Sequence, residues 1–140
     1  MRIRKTELTF QGTSATDVLD ITPSVRDFVA RSGIPEGQLI VFIPGSTAAI
    51  TTIEYESGAV HDLVEAIERL APLDIPYQHN LRWGDGNGYA HVRAAFLKPS
   101  LSIPISNGEM ILGTWQQIVL LDFDNRPRKR RVVLHLMGNS

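Results

Sequence analysis

The chain has 140 residues and no cysteine, which excludes disulfides, cysteine nucleophiles and thiolate metal sites. With 43% hydrophobic and 21% charged residues it has an ordinary globular composition, and its formal net charge of −1 gives no overall attraction to nucleic acid or to an anionic membrane. We expect one domain over residues 1–140, located in the cytoplasm, because no stretch approaches the roughly 20 apolar residues of a membrane helix and the first ten residues have no apolar signal core.

Residue patterns predict a strand, a helix and two further strands in the first part of the chain. Alternating apolar and polar residues over 3–11 are typical of a half-buried strand. Thr22 is placed to cap a short helix that ends at Gly33. The apolar run 38–44 and the β-branched run 48–56 predict two strands, and the small residues at 44–47 predict a bend that borders a site.

Two further helices and a group of late strands are predicted next. Ser57 can cap a helix with helically spaced apolar residues that ends at Pro72, and a short alanine-rich helix is expected from Ala90 to Lys98. The Asn107-Gly108 pair between apolar alternations indicates a two-residue hairpin, and the strands that follow it are expected in hairpin order as the core of the sheet. The chain is therefore predicted to be α+β, with mostly antiparallel strands and two or three helices on one side.

The segment YQHNLRWGDGNGYAH, residues 77–91, concentrates polar residues around three glycines. Glycines that alternate with Asp85 and Asn87 suit a backbone that visits positive φ and approaches a ligand closely. The pattern lacks the lysine of a phosphate-binding P-loop and the strand-to-helix context of a dinucleotide fold. A tight surface turn explains it equally well.

His79 and His91 flank these glycines, so a chain that folds back would bring both imidazoles and an oxygen of Asp85 or Asn87 around one point. Imidazole and carboxylate groups suit zinc or another divalent ion. The spacing matches no recognised zinc signature, and a single histidine is more often a hydrogen-bonded structural residue. Metal binding and a structural role both remain open here.

Other candidates have an ordinary explanation beside the functional one. Glu54 is expected to face water, unless it points into a cleft where burial would suit it to proton transfer. Trp115 could stack on a flat heterocycle whose edge Gln116 reads, although the core of a sheet is the commoner place for a tryptophan. The helix start near Arg93 favours an anion.

Five basic residues lie within residues 126–131, where a hairpin turn is expected. They form either a solvated edge that resists aggregation or a group that binds phosphate through arginine. Because no interleaved aromatic residues or basic helix accompany them, we expect no nucleic-acid partner.

The ordered segments GSTAAITTIEYESG, YQHN, GDGNGYAHVRAAFL, PSLSIPISNGEMILGTWQQIVLLDFD and RKRRVVLHLMG resemble the YjbQ-like family, whose members are described as secondary thiamine-phosphate synthases. The resemblance runs nearly end to end. It implies mixed, mostly antiparallel sheets in a sandwich-like core, a homotrimer, and a pocket with histidines near the subunit boundary.

The resemblance also implies site residues. Many relatives have a histidine where this chain has Gly45, which leaves a mechanism with three histidines unsupported. The implied catalytic residues are Glu54, His79, Asp85 and His91, of which His79, Asp85 and His91 would also bind a divalent metal, zinc or magnesium. The implied substrate-binding residues are Asn87, Arg93, Ser100, Trp115, Gln116 and Arg130, with Arg131 as the alternative to Arg130.

The implied activity joins a pyrimidine that carries pyrophosphate to a thiazole phosphate and expels pyrophosphate. This reaction requires neutralisation of the leaving group and orientation of two flat rings. The expected partner is therefore a small phosphorylated or heterocyclic molecule. The alternative is a non-catalytic protein that binds a ligand or serves an oligomeric interaction.

Overall fold

The computed structural model describes residues 1–14 and 16–140. These residues contain eight strands and four helices, which confirms the predicted α+β class. The strands are β1 (Arg2–Gln11), β2 (Asp17–Asp20), β3 (Glu36–Phe42), β4 (Ala48–Ile53), β5 (Ser100–Ser106), β6 (Glu109–Met110), β7 (Gln117–Asp122) and β8 (Lys129–Asn139). The helices are α1 (Thr22–Ser32), α2 (Ser57–Leu70), α3 (Gln78–Trp83) and α4 (Gly88–Leu97).

The strands form two antiparallel sheets in the described part of the chain. The five-stranded sheet has the order β1-β8-β3-β5-β6, and the three-stranded sheet has the order β2-β7-β4. Every pairing between neighbouring strands is antiparallel, as expected. Among the described residues, no helix is both long and apolar enough to span a membrane.

Strand β7 lies in the middle layer, because both of its faces are buried. Ile118 and Leu120 pack with α1 and the five-stranded sheet, whereas Val119 and Leu121 pack with α2 and α4. Each such side chain contributes roughly 1.5–3 kcal/mol when it is fully buried. The molecule is therefore layered as a large sheet with α1, a small sheet and an outer pair of helices.

The hairpin order expected for the late strands is only partly correct. Asn107 and Gly108 have φ of 53° and 75°, and they connect β5 to β6 as predicted. Strands β7 and β8, however, belong to different sheets. The reason is their burial: β7 is apolar on both faces and needs cover on each, while β8 alternates between buried and more exposed residues.

The predicted start of α1 also needs correction. Ile21 occupies the N-cap position, and Thr22 is the first helical residue. The backbone N–H of Thr22 donates to Asp20 Oδ1 at 2.9 Å, and the Thr22 hydroxyl accepts from the Ile118 backbone N–H at 2.8 Å. The threonine thus joins the helix to β7, and Asp20 caps the backbone.

Helix α2 is capped by Glu56 and not by Ser57. The Glu56 carboxylate accepts hydrogen bonds from two backbone N–H groups of the first turn, which hold its pKa below the ordinary value. Strand β4 ends at Ile53, so Glu54 and Glu56 follow the strand and do not belong to it.

Two further differences position the site. Helix α3 is an additional helix within the glycine-rich segment, where a loop was expected. Helix α4 begins at Gly88, two residues before the predicted start at Ala90. The short turn between these helices replaces the long loop.

Candidate functional site

The turn between α3 and α4 uses glycine where the backbone needs it. Gly84 and Gly86 have φ of 71° and 70°, in the left-handed region that favours glycine. The Gly84 N–H donates to the Asn80 carbonyl at 2.9 Å and ends α3. The Asn125 side chain donates to the Asp85 carbonyl at 2.9 Å and ties the turn to the β7–β8 connection.

Gly88 allows α3 and α4 to approach closely. A Cβ atom at this position would lie 2.6 Å from Tyr77 Cβ, a distance that real side chains do not tolerate. The Gly88 N–H donates to Asn80 Oδ1 at 2.9 Å, so a side chain of α3 satisfies a free donor at the start of α4. The close approach brings the histidines of the two helices together.

His79 of α3 and His91 of α4 are in contact, with their ring centroids 4.3 Å apart and an interplanar angle of 40°. Both side chains line one open cavity of about 340 Å³ between the turn and the bend after β3. The bend contributes residues Gly45, Ser46 and Thr47 to the opposite wall. The two imidazoles therefore reach a common space, and neither is sealed in the core.

The cavity lowers the pKa of His91. Burial of the imidazole is the main cause, and repulsion by a protonated His79 is the second. Asp85 and Asp124 oppose the shift without reversing it. A lowered pKa leaves His91 neutral at pH 7, which is the protonation state that a general base requires.

Asp85 lies beside His79. The distance from His79 Nδ1 to Asp85 Oδ1 is 3.3 Å, but the geometry is not that of a hydrogen bond. His79 Nδ1 is buried and has no hydrogen-bond partner among the described residues. A buried polar atom without a partner is costly, so a ligand that turned this ring toward the cavity would relieve that cost.

The Asn87 amide lies between two carboxylates. Its nitrogen can donate to Asp124 Oδ1 at 3.3 Å or, with the amide turned over, to Asp85 Oδ1 and Oδ2 at 3.0 and 3.2 Å. Turning the amide over satisfies both its nitrogen and its oxygen, so Asn87 needs no added proton or cation.

Two buried aspartates fix two arginines on the opposite wall. Asp122 accepts from Arg130 Nε at 2.8 Å and from Arg130 Nη2 at 2.7 Å, and Arg130 Nη2 also donates to Thr47 Oγ1 at 2.7 Å. Asp124 accepts from Arg128 Nε at 2.5 Å and from Thr47 Oγ1 at 3.1 Å. Both arginines line the cavity.

The pKa of Asp124 is lowered overall. Burial raises it, but the hydrogen bonds from Arg128, from the Asn125 backbone and from Asn87 outweigh the burial. Asp124 is therefore a fixed negative charge behind the arginine wall.

Sequence reasoning missed Asp122 and Asp124, whereas Thr47 lies in the 44–47 bend that was expected to border a site and Arg128 lies in the basic group of residues 126–131. A signal was present, because the two acidic residues of LDFD end an apolar strand directly before the basic turn. Such charges are buried only when they are paired. The structure also distinguishes the late arginines, since Arg131 Nη1 pairs with Glu7 Oε1 at 2.9 Å on the exposed side of the sheet.

Arg93 lies outside the cavity. Its guanidinium is buried and donates to the Ala71 carbonyl at 3.0 Å, to Thr16 Oγ1 at 3.3 Å and to Glu68 Oε2 at 2.5 Å. It also lies over the Tyr89 ring at 4.9 Å. These contacts link α4 to the end of α2, which is a structural role.

The remaining predicted residues lie elsewhere in the fold. Glu54 and Trp115 line a separate cavity of about 400 Å³, and Gln116 lines a neighbouring cavity of about 650 Å³. Trp115 is 71% exposed, so the residue-based expectation that it belongs to the core is wrong. Ser100 is exposed at the start of β5, paired with Phe42.

The donors beside the turn fit a divalent ion only in part. In the part of the chain that the structure describes, no three histidine or acidic side chains converge closely enough to enclose a metal. The unpaired His79 Nδ1 and the Asp85 carboxylate, however, are donor types that zinc accepts. An ion held there would need small rotations of these side chains.

Comparison with known sequences identifies relatives over nearly the whole chain. A family model described as UPF0047 protein YjbQ-like matches residues 6–139. A UPF0047 protein of Methanothermobacter thermautotrophicus is 37% identical over 138 residues, which are 99% of this chain and 94% of that protein. A UPF0047 protein of Archaeoglobus fulgidus is 36% identical over 128 residues, which are 91% and 97% of the two chains.

Solved structures with the same fold are also similar in sequence. A YbjQ-like protein of unknown function from Sulfolobus solfataricus has a TM-score of 0.89 and 30% identity, with 99% of this chain and 100% of that chain covered. An uncharacterized conserved protein of the YjbQ/UPF0047 family from Clostridium acetobutylicum has a TM-score of 0.86 and 31% identity, with 94% and 99% covered.

Proposed function

The chain belongs to the YjbQ-like UPF0047 family, and we propose that it is a small-molecule enzyme in which the His79–His91 pair moves a proton on a phosphorylated substrate. The observation that carries this proposal is the contact between the two imidazoles in an open cavity whose opposite wall holds Arg128 and Arg130. Proton transfer on a phosphorylated substrate requires a base and an anion-binding group that face the same space.

Each side chain has a defined part in this proposal. Contact with His79 favours the neutral form of His91, which accepts a proton, and the carboxylates of Asp85 and Asp124 stabilise the resulting charge. The arginines attract the phosphate group and neutralise negative charge that develops on it. The ion pairs with Asp122 and Asp124 keep the arginines in place before the substrate arrives.

Thiamine-phosphate formation is the first reaction to assay. In this reaction the thiazole nitrogen forms a bond to the methylene carbon of the pyrimidine, and the bond from that carbon to pyrophosphate breaks. His91 takes a proton from the amino group of the pyrimidine as pyrophosphate leaves, and returns it once the new bond has formed. Arg128 and Arg130 would neutralise the departing pyrophosphate. Glu54 and Trp115 line another cavity of the same chain, so they could take part only if a second copy presents them to this site.

We include a divalent metal, zinc or magnesium, in the proposal. His79 and Asp85 would hold it, and it would give the unpaired His79 Nδ1 a partner. When bound, such an ion supplies a Lewis acid that polarises a phosphoryl oxygen. Metal analysis of the purified protein, and of its His79→Ala variant, tests this part separately from activity.

A homotrimer in the cytoplasm completes the proposal. Phosphorylated metabolites are charged and are retained inside the cell, where such an enzyme would meet them. Support for assembly comes from large apolar side chains that a single chain leaves exposed, among them Leu81, Trp83, Phe96 and Trp115. Light scattering of the purified protein tests for a mass three times that of the chain.

The decisive experiment compares two histidine variants of the folded protein. His91→Ala removes a residue of the cavity, whereas His61→Ala removes an exposed histidine of α2 and serves as the matched control. Loss of general acid–base catalysis lowers turnover by about 10²–10⁴-fold. Thiamine-phosphate formation, with magnesium or zinc added, should fall in His91→Ala only.

The alternative is a non-catalytic protein in which the polar turn serves assembly. In that case His91→Ala would lose the oligomer before it loses any ligand, and no turnover would be measured in the natural protein. Unchanged turnover in His91→Ala would reject the catalytic role directly.

A further inference from the structure

The cavity at the histidine pair borders a second one, with which it shares three lining residues. The first, which we call the polar lobe, is the space of about 340 Å³ lined by the histidines, Asp85 and the two arginines. The second, which we call the apolar lobe, has a volume of about 230 Å³. The two lobes share Gly45, Ser46 and His91, and the apolar lobe is completed by Ala48, Ala94, Ala95 and Pro99.

The Nη1 amino group of Arg130 is available in the polar lobe. Nε and Nη2 bind Asp122 and Thr47, but Nη1 makes no hydrogen bond to any residue that the structure describes. Nη1 points to the bend after β3, since a Cβ atom built on Gly45 would lie 3.6 Å from it. The guanidinium is 8% exposed and held rigidly, so this nitrogen is a fixed donor for an anion.

The charges of the polar lobe restrict where the anion can lie. Asp85 also lines this lobe and would repel it. The anion is therefore expected beside Arg128 and Arg130, on the wall opposite the turn. That wall is continuous with the bend that leads into the apolar lobe.

The residues that line the apolar lobe include no ionisable side chain other than the shared His91. Its wall is formed by one face of α4, through Ala94 and Ala95, and by Ala48 and Pro99. Small apolar side chains leave room for an apolar group and offer few hydrogen bonds. The lobe suits a ring or a short aliphatic chain.

Gly45 joins the two lobes. Its φ is 125°, a conformation that side chains rarely adopt, and it presents only a hydrogen atom between the free nitrogen of Arg130 and the apolar wall. His91 borders both lobes at the same junction.

We propose that the two lobes bind one molecule, a phosphate or diphosphate ester with an apolar body. Its phosphoryl oxygen accepts a hydrogen bond from Arg130 Nη1, its apolar body fills the space beside Ala94 and Ala95, and the bond between them lies next to His91. This inference rests on the proposed function and narrows the substrate class to esters in which an apolar group is attached directly to phosphate.

Two inert probes separate the lobes. Methylphosphonate and phenylphosphonate carry the same anionic group, and they differ in the apolar body. Calorimetric titration of the purified protein should show phenylphosphonate binding about tenfold more tightly, because its ring leaves water for the apolar lobe. Ala95→Leu fills this lobe and should remove the advantage, with the affinity for methylphosphonate unchanged.

Ala66→Leu is the matched control, since Ala66 is exposed on α2 and lines neither lobe. It should preserve the advantage of phenylphosphonate, and light scattering checks that both variants keep the natural mass. In the natural protein, methylphosphonate should also shift the guanidinium NMR signals of Arg130 but not those of Arg131.

Three results would overturn the inference. Equal affinity for the two probes, or no effect of Ala95→Leu, would show that the apolar lobe does not bind the ligand. The proposed proton transfer would not be affected by this result. If neither probe binds, the proposal that Arg130 binds a phosphate group is rejected. The requirement for His91 in turnover is measured without these probes, so a failure of the proposed function is recognised independently.

Discussion

Arg130 and Asp122 form a buried two-point ion pair, with distances of 2.8 Å from Nε to Oδ2 and 2.7 Å from Nη2 to Oδ1. The pair connects β8 of the large sheet to the end of β7 in the small sheet. It therefore joins the two layers beside the cavity and fixes an arginine that lines it.

Removing this arginine should destabilise the protein. Arg130→Gln leaves the Asp122 carboxylate buried without its charged partner, and breaking such a pair costs about 3–5 kcal/mol. Arg131→Gln breaks only the exposed pair with Glu7, which is worth about 0–1 kcal/mol. Urea unfolding measures both. If Arg130→Gln lowers the free energy of unfolding no more than Arg131→Gln does, the buried pair is not more important for stability than the exposed pair.

Gly88 is expected to be essential for the helix pair. In Gly88→Ala the new methyl group would overlap Tyr77 Cβ, and forced packing of this kind costs about 1–3 kcal/mol. The displaced helices would also separate the histidines and reduce turnover. Gly113→Ala is the control, because its methyl group would meet only ordinary contacts at 3.6 Å. Thermal unfolding and turnover that are unaffected by Gly88→Ala would contradict this account.

Arg93 provides a direct contrast between the sequence expectation and the structure. An anion-binding Arg93 predicts that Arg93→Lys raises the KM for a phosphorylated substrate. The structure instead predicts a loss of stability of about 1–3 kcal/mol, because hydrogen bonds to Ala71 and Glu68 are lost in the buried site. Measuring KM and the unfolding free energy of the same variant distinguishes the two.

The lowered pKa of His91 predicts a pH dependence of stability. The unfolded chain binds the proton more tightly than the folded protein, because burial and His79 disfavour the charged imidazole. The contribution of His91 is therefore fully present above its ordinary pKa of 6.5 and is lost as the pH falls through the lower folded-state value. His91→Gln should reduce this acid loss in urea unfolding, whereas the exposed His61→Gln should not.

Much of the fold could be predicted because local patterns and tertiary contacts agree. The Asn107-Gly108 turn and the apolar faces of α1 and α2 are examples, since the residues that form these elements also bury their side chains in the predicted way. The sheet assignment of β7 and β8 depended on which neighbours cover β7, and no local pattern encodes that choice.

The histidine side of the candidate site was predicted residue by residue, whereas of the opposite wall only the bend at 44–47 was expected to border a site. The glycines between His79 and His91 indicated a tight return of the chain, and the structure brings these two residues into contact. The opposite wall comes from the bend after β3 and from β8, segments that are distant in sequence. The sequence also does not show which arginine is free to bind a ligand. Arg93 donates to groups within the protein, whereas Arg130 keeps one nitrogen without a hydrogen bond.

The most direct test of the catalytic pair is a double-variant cycle on His79 and His91. We expect His79→Gln and His91→Gln each to lower kcat/KM for thiamine-phosphate formation by about 10²–10⁴-fold, and the double variant to be no worse than the poorer single variant, because the imidazoles act as a unit. Losses that multiply, or a natural level of turnover in either single variant, would contradict the account.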